Sequence, residues 1–159
     1  MELRSEDLTV QVGDFTFNHR AAGILIQEAA ILLEYYEKED YWVLPGGRVK
    51  VGEDSKIGVE REWLEDNGTS LIALIENFFV NHRTGSQRHF HEISMYYQLE
   101  SSSKIPFQMG QKFHGAESDK LNYSWVPLTE LVNLNFRPEI LTNYLVNLPE
   151  CPVHLINHE

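Results

Sequence analysis

The chain has 159 residues, enough for one domain with a buried core, and its single cysteine, Cys151, excludes an internal disulfide and any zinc cluster built on cysteine. Its 24 acidic against 13 basic residues give a formal charge of −11, which excludes broad contact with an extended nucleic-acid backbone. No apolar run is long enough to cross a bilayer and the N-terminus does not read as a signal peptide, so the expectation is one cytoplasmic domain over residues 1–159 with no membrane partner.

Leu8 to Val12 and Phe15 to Phe17 alternate apolar and polar residues around Gly13-Asp14, which predicts a two-residue hairpin. Ala21 to Ile26 is nearly continuous and apolar, as in a strand buried on both faces. A turn near Gln27-Glu28 leads into a second strand, Ile31 to Tyr36, and Glu37 to Asp40 is a polar turn. Tyr41 to Leu44 then runs into Pro45-Gly46-Gly47, where paired glycines let backbone approach a ligand closely. The aromatics ahead of that loop read as packing residues or, alternatively, as a nucleobase platform.

Ser55 is a predicted N-cap and Gly68 a predicted helix stop, with Glu53 and Asp54 at the positive end of the dipole. At ~100° per residue, Glu62, Glu65 and Asp66 fall within roughly 100° of arc. Lys56, Glu60 and Asn67 lie about 150° around the wheel, and apolar residues flank both polar arcs: Ile57 and Leu64 on one side, Val59 and Trp63 on the other. If Lys56, Glu60 and Asn67 face water, the three acids face inward. Like charges held away from water need cations to offset the cost, and hard divalent ions with oxygen ligands, Mg²⁺ above all, meet that need. An acidic chain with an anionic substrate also needs local cations to reverse its field.

Gly47, five residues, Glu53, seven residues, then Arg61-Glu62-Trp63-Leu64-Glu65-Asp66-Asn67-Gly68 resembles the Nudix hydrolase box in spacing throughout. Asp66 stands where the family has Glu, Trp63 and Thr69 stand where it has bulky aliphatics, and Gly58 takes a place held by a small Ala. The resemblance implies an α/β fold, a Nudix-type α/β/α sandwich with a mixed sheet. It implies that the Gly46 carbonyl, Glu62, Glu65 and Asp66 hold Mg²⁺, with Mn²⁺ as a substitute, and that Arg61 pairs with Glu53 to fix loop against helix. Glu62 is the first choice for the base. The implied activity is hydrolysis of the pyrophosphate linkage in a nucleoside diphosphate linked to another moiety: a nucleoside triphosphate, ADP-ribose, a nucleotide sugar or a dinucleotide. The alternative is a nucleotide-binding sensor that keeps the fold and has lost turnover.

Beyond the helix, Leu71 to Val80 and His89 to Leu99 are predicted strands joined by the locally basic loop His82 to Arg88. Arg83 and Arg88 in that loop, with Arg20, are candidate substrate-binding cations. Alternation puts His89 and His91 on one strand face and Glu92 and Tyr96 on the other. Glu92 is then a hydrogen-bonding acid at the core edge or an added metal ligand, and the histidines are not expected to bind zinc. A looser region runs from Ser101 to about Asn122, and the resemblance makes Glu117, ahead of Trp125-Val126-Pro127-Leu128, a candidate acid for the metal site. Thr129 to Leu131 starts a helical turn, Pro138 suits the first turn of a last helix, and the tail from Cys151 alternates like an edge strand or a homodimer contact.

Overall fold

A computed structural model describes residues 6–63, 70–81, 88–100, 112–115 and 118–159. Strands β1 (Thr9–Val12) and β2 (Phe15–Ile24) form the predicted hairpin, and Gly13 supplies the positive φ of +60° that the two-residue turn requires. β2 continues as a ten-residue strand because Ala21, Ala22 and Ile24 are covered on both sides of the sheet. Short β3 (Ile26–Gln27) turns back into β4 (Ala30–Tyr36), and β5 (Tyr41–Val43) pairs farther along the same edge of β4.

The glycine segment is not a loose loop. Gly46–Arg48 forms β6, which pairs antiparallel with Ala22, Ala21 and Arg20 of β2. Side chains cannot fit there: a Cβ on Gly46 would collide with the Ala21 carbonyl and with Ala22. Helix α1 (Ser55–Trp63) follows. Its N-cap is Asp54 rather than Ser55, because Asp54 Oδ1 accepts from the Ile57 amide at 2.9 Å while the Ser55 hydroxyl bonds the Tyr97 hydroxyl at 2.6 Å.

β7 (Ser70–Asn81) and β8 (Arg88–Gln98) are the second predicted hairpin, and β8 also runs parallel to β2. β9 (Lys112–Gly115) and β10 (Ser118–Pro127) fall where a looser region was expected. The difference has a physical source: β9 pairs antiparallel with β10, and β10 continues along the free edge of β4 from Asn122 to Pro127, so the backbone of both is satisfied. A 3-10 turn (Leu128–Asn133), a second one (Glu139–Leu141) and helix α2 (Thr142–Val146) follow, with Pro138 immediately ahead of the second turn. The tail is β11 (Val153–His158), an edge strand parallel to β7.

The result is an α/β fold with two sheets. The larger is mixed and runs β1-β2-β8-β7-β11, with β6 also on β2; the smaller is antiparallel and runs β3-β4-β10-β9, with β5 also on β4. The main core joins Ala22, Ile24, Ile31, Leu33, Ile75, Tyr96, Leu131, Leu141 and Leu145, so both sheets and the C-terminal turns share it. A smaller cluster of Ala21, Val49 and Val59 seats α1 on the opposite face of the larger sheet. Among the described residues no helix is long and apolar enough to cross a membrane.

Candidate active site

The site is built on β6 and the helix that follows it. Pro45 presents its carbonyl to two donors, the Gly23 amide at 2.9 Å and the Trp63 indole at 3.2 Å, so the strand end and the helix end are tied to one atom. Gly23 makes room for the indole: a Cβ there would lie 2.5 Å from Trp63 Nε1. An aromatic residue at a place the family fills with an aliphatic is thus matched by a missing side chain on β2.

Arg61 locks the turn between β6 and α1. Its Nε donates to Glu53 Oε2 at 2.9 Å and its Nη2 to Glu53 Oε1 at 3.1 Å, while Nη2 also reaches the Arg48 carbonyl at 3.0 Å. The remaining arm, Nη1, donates to Glu62 Oε1 at 2.8 Å. Hydrogen bonding from Arg61, helped by the Lys50 amide, holds the Glu53 carboxyl below the usual carboxylate range. Arg61 in turn is raised, chiefly by its bond to Glu53.

The Glu62 carboxylate lies directly against Gly47, where a Cβ would overlap it. Gly58 plays the same part for Glu53, whose Oε1 would sit 3.1 Å from an added Cβ. The helix therefore needs a residue without bulk at each point where an acid meets backbone. Ile57, at 51 % exposure, is the most open apolar position of α1, whereas Lys56 and Glu60 pair across one turn and shield that edge. The Lys56 side chain is 44% exposed and that of Glu60 17%, so the water-facing side read from the wheel holds for Lys56 but not for Glu60. Glu65, Asp66 and Gly68 lie outside the described residues, as do Leu64, Asn67, Thr69, His82, Arg83 and Glu117.

Next to this corner, on the inner side of the larger sheet, is a cleft of about 140 Å³. Tyr36, Tyr41, Val43, Phe79, Tyr96 and Pro138 give it apolar walls, and Arg20, Asn77, Glu92 and Arg137 bring polar groups. Glu92 is buried and accepts from Ser94 Oγ at 2.8 Å and from Asn18 Nδ2 at 3.4 Å. Asn77 faces it as its cross-strand partner and accepts from Asn157 at 2.7 Å. Arg88 opens β8 in an exposed position and does not line the cleft.

Arg20 joins cleft and loop. Its Nη2 donates to the Leu44 carbonyl at 2.8 Å, just ahead of Pro45. Burial works against its charge, but the surrounding Tyr96, Tyr36, Glu92 and Glu34 outweigh burial and raise it overall. The same environment pushes the Tyr96 hydroxyl up to about 12, with burial as the main cause.

Two residues that matter here were missed in the sequence. Glu34, only 2 % exposed on β4, is pushed up to about 7 by burial; Arg20 and a Tyr36 hydrogen bond draw it down and the Glu62 charge raises it further. A lone acid inside the apolar run Ile31 to Tyr36 was the available signal. Arg137 lies with its guanidinium 4.9 Å from the centre of the Tyr41 ring at the cleft. Nothing in its local sequence marked it.

Among the described residues no three His, Cys, Asp or Glu side chains come together as a metal site; of the expected ligands only Gly46 and Glu62 are described, and both offer the oxygens that a hard divalent ion takes. From Arg20 through Glu34 and Glu62 to Arg61, four carboxyl groups, those of Glu34, Glu53, Glu62 and Glu92, share two guanidinium groups. The excess is negative, the donors are oxygens, and a glycine backbone lies against Glu62.

Comparison with known proteins agrees with this architecture. A family model described as NUDIX domain matches residues 9–144. Among solved structures, a MutT protein from Bacillus halodurans is similar with a TM-score of 0.66 at 14% identity, covering 89% of each chain. A NUDIX hydrolase from Nitrosomonas europaea gives 0.58 at 18% identity, over 89% of this chain and 79% of that one. An ADP-ribose pyrophosphatase from Streptococcus suis gives 0.50 at 16% identity, over 88% and 98%. No curated protein matches in sequence.

Proposed function

Because this chain belongs to the Nudix family, we propose that it hydrolyses the pyrophosphate linkage of a nucleoside diphosphate linked to another moiety, in a reaction that depends on Mg²⁺. The observation that carries this reading is the Glu62 carboxylate set against the Gly47 backbone and tethered by Arg61 beside an aromatic cleft. Glu62 and the Gly46 carbonyl, with Glu65 and Asp66, would hold the ion, for which Mn²⁺ could substitute. When bound, a divalent ion neutralises diphosphate charge and makes water easier to deprotonate.

The chain's own residues do the rest. Arg61 keeps the Glu62 carboxylate aimed at the loop, where it can bind an ion or accept a proton. Water attacks one phosphorus and the bridging oxygen leaves with the other, giving two phosphate-bearing products. The cleft seats the organic moiety. A cavity of roughly 150 Å³ accepts one benzene-sized ring, so its volume of about 140 Å³ suits a single aromatic heterocycle. Tyr41 offers that ring a stacking face already paired with Arg137.

The test is a panel of nucleoside triphosphates, ADP-ribose, nucleotide sugars and dinucleotides assayed with and without Mg²⁺, scoring which bond breaks. Metal-dependent release of two phosphate-bearing products is expected, and Glu62→Gln should remove nearly all of it. Survival of every member of the panel would overturn the reading. The inactive sensor reading has no observation in its favour.

A further inference from the structure

The larger sheet has one face whose two halves differ. Helix α1 covers the half around Ala21 and Tyr97. The other half carries the outward residues of five strands, among them Val10 and Val12 of β1, Phe15 and Phe17 of β2, and Ile156 of β11. Val10, Val12, Phe15 and Ile156 are 46 to 64% exposed, so half of the markedly exposed large apolar side chains among the described residues lie on this one surface.

We propose that this open half of the larger sheet is the contact face between two copies of this chain. Register fixes its composition. Phe15 pairs with His89 and Phe17 with His91 across β2 and β8, Phe78 pairs with His91 and His158 across β8, β7 and β11, and all six side chains point outward. The rings already contact one another within the sheet: His158 stacks on Phe78 at 4.7 Å between centroids, and His91 lies 4.5 Å from Phe78. With His19 and His154, five of the chain's seven histidines are at outward positions on this face.

Charge identifies the occupant. Among the described residues Glu76 is the single carboxylate at these positions, and it is bound to His154 at 2.7 Å; no lysine or arginine is present there. A nucleic acid or an anionic membrane would need basic residues on such a face, and none is offered. Two chains of charge −11 repel over most of their surfaces, so the approach that costs least brings together these faces, on which Glu76 is the one described carboxylate. A two-fold contact must also be complementary to itself. Apolar side chains meet that condition, and so do neutral imidazoles, each of which offers one donor and one acceptor.

Sedimentation across a micromolar concentration series, near neutral pH, tests the proposal without reference to any substrate. The unaltered chain should sediment as a dimer. Ile156→Glu on β11 and Phe15→Glu on β2, tested separately, should each yield monomer with little change in thermal midpoint, because both positions are exposed. Val132→Glu, at a position 68% exposed in the first 3-10 turn, should leave the dimer intact. A monomer throughout the series, or a dimer that survives both sheet-face variants, overturns the proposal.

Discussion

Arg61 is the residue on which the corner depends, because one guanidinium makes three jobs compatible: it closes the turn on Glu53, holds the Arg48 carbonyl and aims Glu62. Such a fork requires arginine. A lysine carries the same charge on a single nitrogen and cannot hold two acids and a carbonyl in fixed directions. Arg61→Lys should therefore lower kcat/KM for the Mg²⁺-dependent hydrolysis by roughly 10- to 100-fold, as loss of a residue that orients a ligand commonly does. The fall should appear with little loss of stability, since Arg61 is partly exposed. Steady-state kinetics beside a thermal melt decides it, and unchanged kcat/KM would show that Glu62 holds its place without the tether.

At the scale of elements, the fit of α1 to β2 rests on Trp63 filling the space that Gly23 leaves. Gly23→Ala forces the indole or Leu99 to shift, and overpacking of this sort costs about 1–3 kcal/mol. Urea denaturation should record that loss, with activity falling as well because Glu62 precedes Trp63 in the helix. Undiminished stability would mean that the indole has another place to go. The same pair marks the boundary of what the sequence could tell. The alternation of β8 was legible, and with it the separation of Glu92 and Tyr96 from His89 and His91, because a strand has only two faces. The pairing of Gly23 with Trp63 was not, since their contact spans forty residues that only the register of β6 on β2 brings together. Ser55 likewise read as the cap until Tyr97, from a distant strand, claimed its hydroxyl. Arg137 was invisible for the same reason: its meeting with Tyr41 follows from the bridge between Trp42 and Phe136, which local pattern does not encode.

For the whole molecule the charge network sets how stability varies with pH, and two carboxyls act in opposite senses. Glu53 is depressed by Arg61, so its contribution is present above the ordinary value of 4.5 and is lost on acidification. Glu34 is the reverse case. Its carboxyl, raised to about 7, holds its proton more firmly in the folded chain than in the unfolded one. The stability this gives is complete below 4.5 and is lost as pH climbs from 4.5 to about 7, after which the deficit is constant. For a shift of this size, the loss attached to that one group is at most on the order of 3 kcal/mol. Between those limits Glu53 is ionised in both states and contributes no slope, so the window belongs to Glu34 among these two. Urea denaturation from roughly pH 5 to roughly pH 8, with a chelator present to exclude divalent ions, should show stability falling more steeply in the unaltered chain than in Glu34→Gln. Parallel curves would mean that Glu34 enters the fold already ionised, its charge met by Arg20 alone, and that the negative excess around Glu62 is larger by one full charge.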